Sequence, residues 1–300
     1  MSGEERFELD PDDAGYPALV QEGYETAPHI YGIGDPEALQ GPCISIIGAR
    51  RATPYGLEVA HMAGRVSAEA GICIVSGGAL GCDAQASRGA LEAGGRTVIV
   101  SGCGADRVYP RSSDDIFAAA RKGAGCVISL ERWGEGPKRY TFPKRNVLIA
   151  ALSPVLIVCE AGRKSGTMGT AEAAMEMGRS VYAVPGSIFS PTSQGTNYLI
   201  QNGCGLIADE LGLEQVLSSD YGCERRLTRS GMPAWGRVLS ALVASPMRPQ
   251  DLAGKIGLDE LTVADTLSSY EEMGLVTKLP DGCFVPSEKA YRLMEAEPDG

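Results

Sequence analysis

Three hundred residues, 44% of them hydrophobic and 22% charged, make an ordinary globular protein with material for a sizeable core and more than one domain. The opening MSGEERFELD lacks the basic and apolar regions of an export signal, and no apolar run reaches the roughly 18 residues of a membrane helix, so a cytoplasmic protein without membrane contact is expected. The net charge of −11 does not exclude an anionic partner, because residues 1–42 carry ten acids and one base, residues 218–300 thirteen acids and nine bases, and residues 43–217 seventeen bases and fifteen acids.

Residues 1–42 contain the turn-rich stretches Pro11-Asp12-Asp13 and Gly32-Ile33-Gly34-Asp35-Pro36 and little periodicity. They are expected to form an acidic leader followed by an ordered lead-in, Tyr16–Gly41. From residue 43, apolar and β-branched runs recur at 43–47 (CISII), 72–75 (ICIV), 97–100 (TVIV), 126–130 (CVISL), 155–159 (VLIVC) and 181–184 (VYAV). Stretches of helical spacing, such as 56–70 and 166–177, separate most of them. Continuous rather than alternating apolar strands joined by helices predict a mostly parallel sheet buried on both faces, a doubly wound α/β domain over 43–217. The polar run 218–233 (SSDYGCERRLTRSGMP) predicts a linker. Helical patterns at 235–244, 248–256 and 259–273 follow. A strand pair, Leu275-Val276-Thr277-Lys278 and Gly282-Cys283-Phe284-Val285 around Asp281-Gly282, completes the pattern of a small winged-helix domain over 234–300. Its third helix, DELTVADTLSSYEEM, holds five acids and no base. Such a helix would be repelled by a nucleic-acid groove and suits docking or self-association instead.

Most strand-like runs end in glycine or another residue that admits an anion. Gly48-Ala49-Arg50-Arg51 follows the first, Ser76-Gly77-Gly78 the second, Gly102-Cys103-Gly104 the third and Ala161-Gly162 the fifth. One such turn is equally well a tight βα connection. Four in one sheet favour an anion-binding crevice beyond the strand carboxyl ends. The anion is not a dinucleotide: arginine stands where a pyrophosphate would press on backbone, Ser76 replaces the acid expected after the second strand, and no GxxxxGK[ST] occurs. No cofactor is therefore expected. Nine cysteines scattered singly without a CxxC pair, and only two histidines, His29 and His61, argue against a zinc site and a disulfide scaffold.

Two further runs point to phosphates. Lys164-Ser165-Gly166-Thr167 joins the fifth strand to a helix and offers hydroxyls and backbone donors at its N-terminus, although plain capping by Ser165 or Thr167 would use the same residues. Lys138-Arg139-Tyr140-Thr141-Phe142-Pro143-Lys144-Arg145-Asn146 interleaves four bases with two aromatics, the chemistry of single-stranded nucleic acid. A solvated basic loop over a buried Phe142 is the alternative.

With these residues in view, the sequence resembles the DNA-processing protein A (DprA/Smf) family from about Tyr16-Pro17 through residue 217. The likeness rests on Gly48-Ala49-Arg50 with Thr53-Pro54-Tyr55-Gly56, Ser76-Gly77 with Gly81 and Asp83-Ala84, Gly89-Ala90-Leu91, and Gly102-Cys103-Gly104 with Tyr109-Pro110. It continues through Phe142-Pro143-Lys144-Arg145-Asn146 and Val184-Pro185-Gly186-Ser187-Ile188-Phe189-Ser190-Pro191, with Gly195-Thr196-Asn197. The resemblance implies a Rossmann-like, dimer-forming protein that binds single-stranded DNA and hands it to a RecA-type recombinase, in competent bacteria during natural transformation. It implies phosphate contact by Arg50, a DNA loop of Phe142, Lys144, Arg145 and Asn146, and an anion turn of Ser165, Gly166 and Thr167. The family often has a basic residue where Leu80 stands and another where Val147 stands. Losing two phosphate contacts would lower affinity and flatten its salt dependence.

A rival reading is an enzyme resembling the nucleotide phosphoribohydrolases, whose PGGxGTxxE turn can be laid on Gly169-Thr170. Its catalytic carboxylate then falls on Ala173, and Glu172 would be turned about 100° around the helix. No acid–base pair and no Ser/His/Asp arrangement suggests itself, so no catalytic residue is expected.

Overall fold

A computed structural model of the chain describes residues 5–223, 238–239, 241–243, 245–287 and 289–290. They fall into two units, within residues 1–226 and 227–300. The first runs β1 (Arg6–Leu9), α1 (Ala18–Gly23), β2 (Ile30–Gly34), β3 (Cys43–Ile47), α2 (Pro54–Glu69), β4 (Cys73–Ser76), α3 (Cys82–Glu92), β5 (Thr97–Ser101) and α4 (Asp114–Arg121). It continues through β6 (Gly125–Ser129), α5 (Thr141–Ala151), β7 (Val155–Val158), α6 (Gly166–Glu176), β8 (Ser180–Ala183), α7 (Gln194–Gln201), β9 (Gly205–Leu206) and α8 (Glu210–Tyr221).

The nine strands form one mixed, mostly parallel sheet in the order β1-β2-β6-β5-β4-β3-β7-β8-β9. Only the β1–β2 and β2–β6 pairs are antiparallel. Every residue of CISII is buried, because β3 has a strand on each side and helices over both faces. Alternation sorts its side chains. Cys43 and Ile47 meet Val75, Val98, Leu156, Leu148 of α5 and Ala171 of α6 in one core. Ile44 and Ile46 meet Ile74, Ile157, Val59 of α2 and Ala86 of α3 in the other. From β3 the chain winds outward through β4, β5 and β6, then crosses back to β7 and winds the other way through β8 and β9. The reversal lies between β3 and β7, where open α/β sheets leave a crevice.

Local chemistry sets the helix starts at this reversal. Thr53 caps α2 by accepting from the Gly56 amide at 3.2 Å, with Pro54 at the first helical position. The six expected core strands agree with the structure to within a residue or two at each end. The chain before them does more than lead in: β1 and β2 pair Arg6 with Ile33 and Leu9 with Ile30, and β2 continues onto β6. At the other end, α8 runs through Tyr221 into the segment expected as linker, and closes on Gly222 at φ +63°. The remainder of that segment, 224–233, lies outside the described residues.

In the second unit, helix Pro249–Ile256 ends at Gly257 (φ +65°), and helix Glu260–Glu272 is capped by Asp259, which accepts from the Thr262 amide at 2.9 Å. Strands β10 (Val276–Lys278) and β11 (Phe284–Pro286) form an antiparallel hairpin. Leu239, Leu242, Leu252, Val263, Leu267 and Phe284 share its core. The helix expected over 235–244 lies partly outside the described residues, of which 238–239 and 241–243 are helical. No helix among the described residues is long and apolar enough to cross a membrane.

Candidate functional site

Beyond the carboxyl ends of β3 and β7 lies a cavity of about 440 Å³. The turn after β3 supplies Gly48, Ala49, Arg50 and Arg51; the approach to α3 supplies Ala79 and Asp83; α5 supplies Arg145, Asn146 and Ile149; the start of α6 supplies Ser165, Gly166, Thr167 and Thr170. Two contacts fix these turns against each other. Gly81 precedes α3 at φ +82°, and a Cβ there would press on the carbonyl oxygens of Ala49 and Arg50. Across the reversal, the Thr167 hydroxyl donates to the Gly48 carbonyl at 3.1 Å. Ser165 makes no side-chain cap bond to α6, whose first turn lines the cavity, and a helix N-terminus favours an anion.

Beneath these turns two groups of opposite charge, Asp83 and Arg145, are buried near each other. Arg145, only 4% exposed, donates to the Val100 carbonyl at 2.8 Å, while Asp83 accepts weakly from the Gly48 amide at 3.4 Å. Burial pushes the Asp83 carboxyl up and the Arg145 guanidinium down, and the attraction between the two works against both shifts. Gly77 has to lack a side chain because its Cβ would fall on the Arg145 guanidinium and 2.5 Å from Asp83 Oδ2. Two donors around the cavity, Arg145 Nε and Ser165 Oγ, are buried without a hydrogen-bond partner. Unfilled buried donors beside an open cavity are places for a ligand's acceptors.

A smaller groove of about 60 Å³ adjoins the cavity and shares Arg50, Ala79 and Arg145 with it. Its other walls are Gly77, Leu80, Gly102, Tyr109, Pro110 and Phe142. The Phe142 ring lies on Gly102, where a Cβ would approach within 2.7 Å. Around that ring are Tyr109 at 5.7 Å between centroids, the Arg50 guanidinium at 5.2 Å and that of Arg145 at 5.9 Å. Further along, Lys144 and Lys138 flank the exposed Tyr140 ring at 5.6 and 6.0 Å. Phosphate-sized anions and planar rings therefore find adjacent seats, with two arginines common to both.

The sequence-predicted residues divide accordingly. Gly48, Arg50, Arg51, Arg145, Asn146, Ser165, Gly166 and Thr167 line the cavity, and Gly77 and Phe142 line the groove. Lys144 and Lys164 are exposed nearby in sequence but line neither. Ser76 turns inward, its hydroxyl donating to the Ile46 carbonyl at 2.6 Å, so a strand residue bridges its neighbour rather than facing a ligand. Gly78 is buried against Ile99 and Phe117. Gly195, Thr196 and Asn197 begin α7, outside the cavity. Thr196 bonds its own turn at Ser193, and Asn197 both accepts from the Gly186 amide and donates to its carbonyl. Gly102 beds a ring rather than an anion. Conversely, Asp83, Leu80 and Tyr109 belong to the site although their types and spacing did not single them out as site residues. Asp83, in the first turn of α3, could have been suspected as an acid beside a helix N-terminus. Of the enzyme alternative, Ala173 packs on the core and Glu172 is exposed, and neither lines the cavity. Among the described residues Asp83 is the one carboxyl that does.

The profile of the family described as DNA recombination-mediator protein A matches residues 9–218. Among curated proteins, Protein Smf of Synechocystis sp. is 36% identical over 227 residues, 73% of this chain and 57% of its own length. The DNA processing protein DprA of Streptococcus pneumoniae is 35% identical over 195 residues, 65% of this chain and 68% of its own. The chain thus spans little more than half to two thirds of these relatives. The X-ray structure of the S. pneumoniae protein matches with a TM-score of 0.66 and 34% identity over 69% of this chain and 72% of that one. A structure of DNA processing protein A from Helicobacter pylori, described for its single-stranded DNA binding mode, matches with a TM-score of 0.65 and 30% identity over 73% of this chain and 98% of that one. The family profile spans the sheet and the turns that build the cavity, and with these relatives the chain belongs to the DNA recombination-mediator protein A family.

Proposed function

We propose that the chain binds single-stranded DNA across the carboxyl end of its sheet, with phosphates in the cavity and an unpaired base on Phe142. The observation that carries this reading is that Arg50 and Arg145 line both the cavity and the aromatic groove, so one strand can use both at once. Duplex bases are already stacked and cannot reach such a ring, which favours single strands. The solved H. pylori relative, described for binding single-stranded DNA, supports it. The family is described as mediating DNA recombination; we read loading of a RecA-type recombinase, a homodimer and service in natural transformation as further parts of this chain's role, on the family resemblance. The second unit, with helices Pro249–Ile256 and Glu260–Glu272 followed by a hairpin, is read as a winged helix used for docking rather than for DNA. The protein is read as a binder and not an enzyme, since Asp83 is the one carboxyl among the described residues that lines the cavity, and no histidine or cysteine lines it.

The test is an anisotropy titration of the full chain with single- and double-stranded oligonucleotides over a salt series. Tighter binding of single strands, weakening as salt rises, is expected. Equal affinity for both forms across the series would overturn the reading.

A further inference from the structure

We propose that the loop between β8 and α7 is a second stacking platform for the same DNA strand, centred on Phe189; the proposal rests on the single-strand reading of the cavity. Phe189 is 89% exposed and its neighbour Ile188 78%, the most exposed large hydrophobic residues among those described. A slack loop would fold such side chains inward, but this one is held at both ends. Asn197 makes two hydrogen bonds to the Gly186 backbone, and the Tyr55 hydroxyl donates to the Pro185 carbonyl at 2.7 Å. At the tip, the Phe189 amide donates to Ser187 Oγ and the Ser190 amide to the Ser187 carbonyl. The far end is fixed by Thr192, whose hydroxyl donates at 2.6 Å to Glu160, a carboxyl 2% exposed.

Glu160 also ties the loop to the cavity. It accepts from the Thr53 amide at 2.8 Å and the Thr53 hydroxyl at 2.9 Å, two residues beyond Arg51 on the cavity wall. In the other direction the chain from Glu160 runs through Gly162 to Ser165, again on that wall. Arg163 and Lys164 stand between. Arg163 lies over the half-exposed Tyr198 ring, 2.9 Å from its centroid, and Lys164 is exposed. Among the described residues no carboxylate is paired with Arg51, Arg163 or Lys164. The interleaving of cations with exposed rings thus repeats what Arg50 and Phe142 present in the groove. Apolar rings alone would suit many partners; rings set beside unpaired cations suit unpaired nucleotides, whose phosphates and bases take both. Gly162, one residue before Arg163, lies against the loop's Pro191 carbonyl, so the segment carrying these two cations adjoins the end of the Phe189 loop.

The experiment uses Phe189→Ala in the full chain with labelled oligothymidylates of about 5 and about 15 nucleotides, which bracket the span one compact domain covers. Affinity for the longer strand is expected to fall about fivefold or more, and for the shorter less than about twofold, while Phe189→Trp keeps both. Arg163→Gln should lower the salt slope for the longer strand only. No loss on the longer strand, or equal loss on both, overturns the platform. So does a fall from dimer to monomer at unchanged DNA affinity, which would assign the loop to a second copy of the chain. If the shorter strand binds and Arg50→Ala weakens it while Phe189→Ala changes nothing, the platform alone fails. If neither strand binds, the cavity reading fails and takes the platform with it.

Discussion

The rim of the cavity and the helix Glu260–Glu272 are both exposed surfaces of one acidic chain, yet they present opposite fields. Arg50 and Arg51 line the cavity, the exposed Lys144 and Lys164 adjoin its lining residues in sequence, and its one carboxyl among the described residues, Asp83, is buried near Arg145. The helix and its cap expose Asp259, Glu260, Asp265, Glu271 and Glu272 with no base among them. Charges in water are screened beyond about 8–10 Å at physiological salt, so an approaching phosphate senses the few groups nearest it and not a total of −11. Which surface meets an anion is set by where the sheet delivers its strand ends.

The sharpest way to test that comparison is to remove the support beneath the basic rim. Asp83→Ala leaves Arg145 buried without its counter-charge, and should cost about 3–5 kcal/mol in urea unfolding. A loss under about 1 kcal/mol would show that Arg145 escapes to solvent. Next in size, Phe142→Ala removes a stacking surface worth about 1–3 kcal/mol per base, so single-strand affinity should fall by roughly fivefold to more than a hundredfold at one salt concentration. An unchanged affinity would mean that the groove takes no base. Smaller again, Arg50→Ala and Lys144→Ala should each lower the slope of log affinity against log salt by about 0.7, with melting temperature nearly unchanged. A melting point several degrees lower would make that residue structural. The least effect is expected from ending the chain at residue 233: single-strand affinity should change less than about threefold. A tenfold loss with unchanged oligomeric state would break the comparison, because the acidic unit would then be gripping DNA.

The sheet was legible where burial alone writes the sequence. CISII, TVIV and VLIV read as strands because parallel strands covered on both faces need no polar alternation. RFEL and IYGIG did not. β1 is a half-polar edge strand and β2 carries two glycines, so the pairing of β1 on β2 and of β2 on β6, with only Ile30 and Ile33 of β2 deep in the core, places them. The site was legible to the extent that topology gathers strand ends: Gly48, Arg50 and Ser165–Thr167 meet because β3 and β7 are neighbours at the reversal. Ser76, Gly102 and Asn197 show the limit. A hydroxyl or glycine at a strand end, or an amide at a helix start, reads identically whether it faces a ligand, a ring or a neighbouring carbonyl. Asp83 and Arg145 are 62 positions apart in sequence, and only the folded chain makes one the counter-charge of the other.

The unpaired thiols give the molecule a built-in reporter. Cys43, Cys73, Cys82, Cys103, Cys126 and Cys159 are buried, and Cys204, Cys223 and Cys283 are half-exposed. Cys82 lies directly under Gly48, where a Cβ would come within 2.5 Å of its sulfur, and burial pushes its thiol up to about 12. A mild alkylating reagent should therefore consume Cys204, Cys223 and Cys283 before Cys82, which it reaches only when the turn after β3 lifts. On the proposed single-strand reading, DNA seated in the cavity would hold that turn down, so mass spectrometry should record slower alkylation at Cys82 and an unaltered rate at Cys283, mapping occupancy on the unlabelled protein.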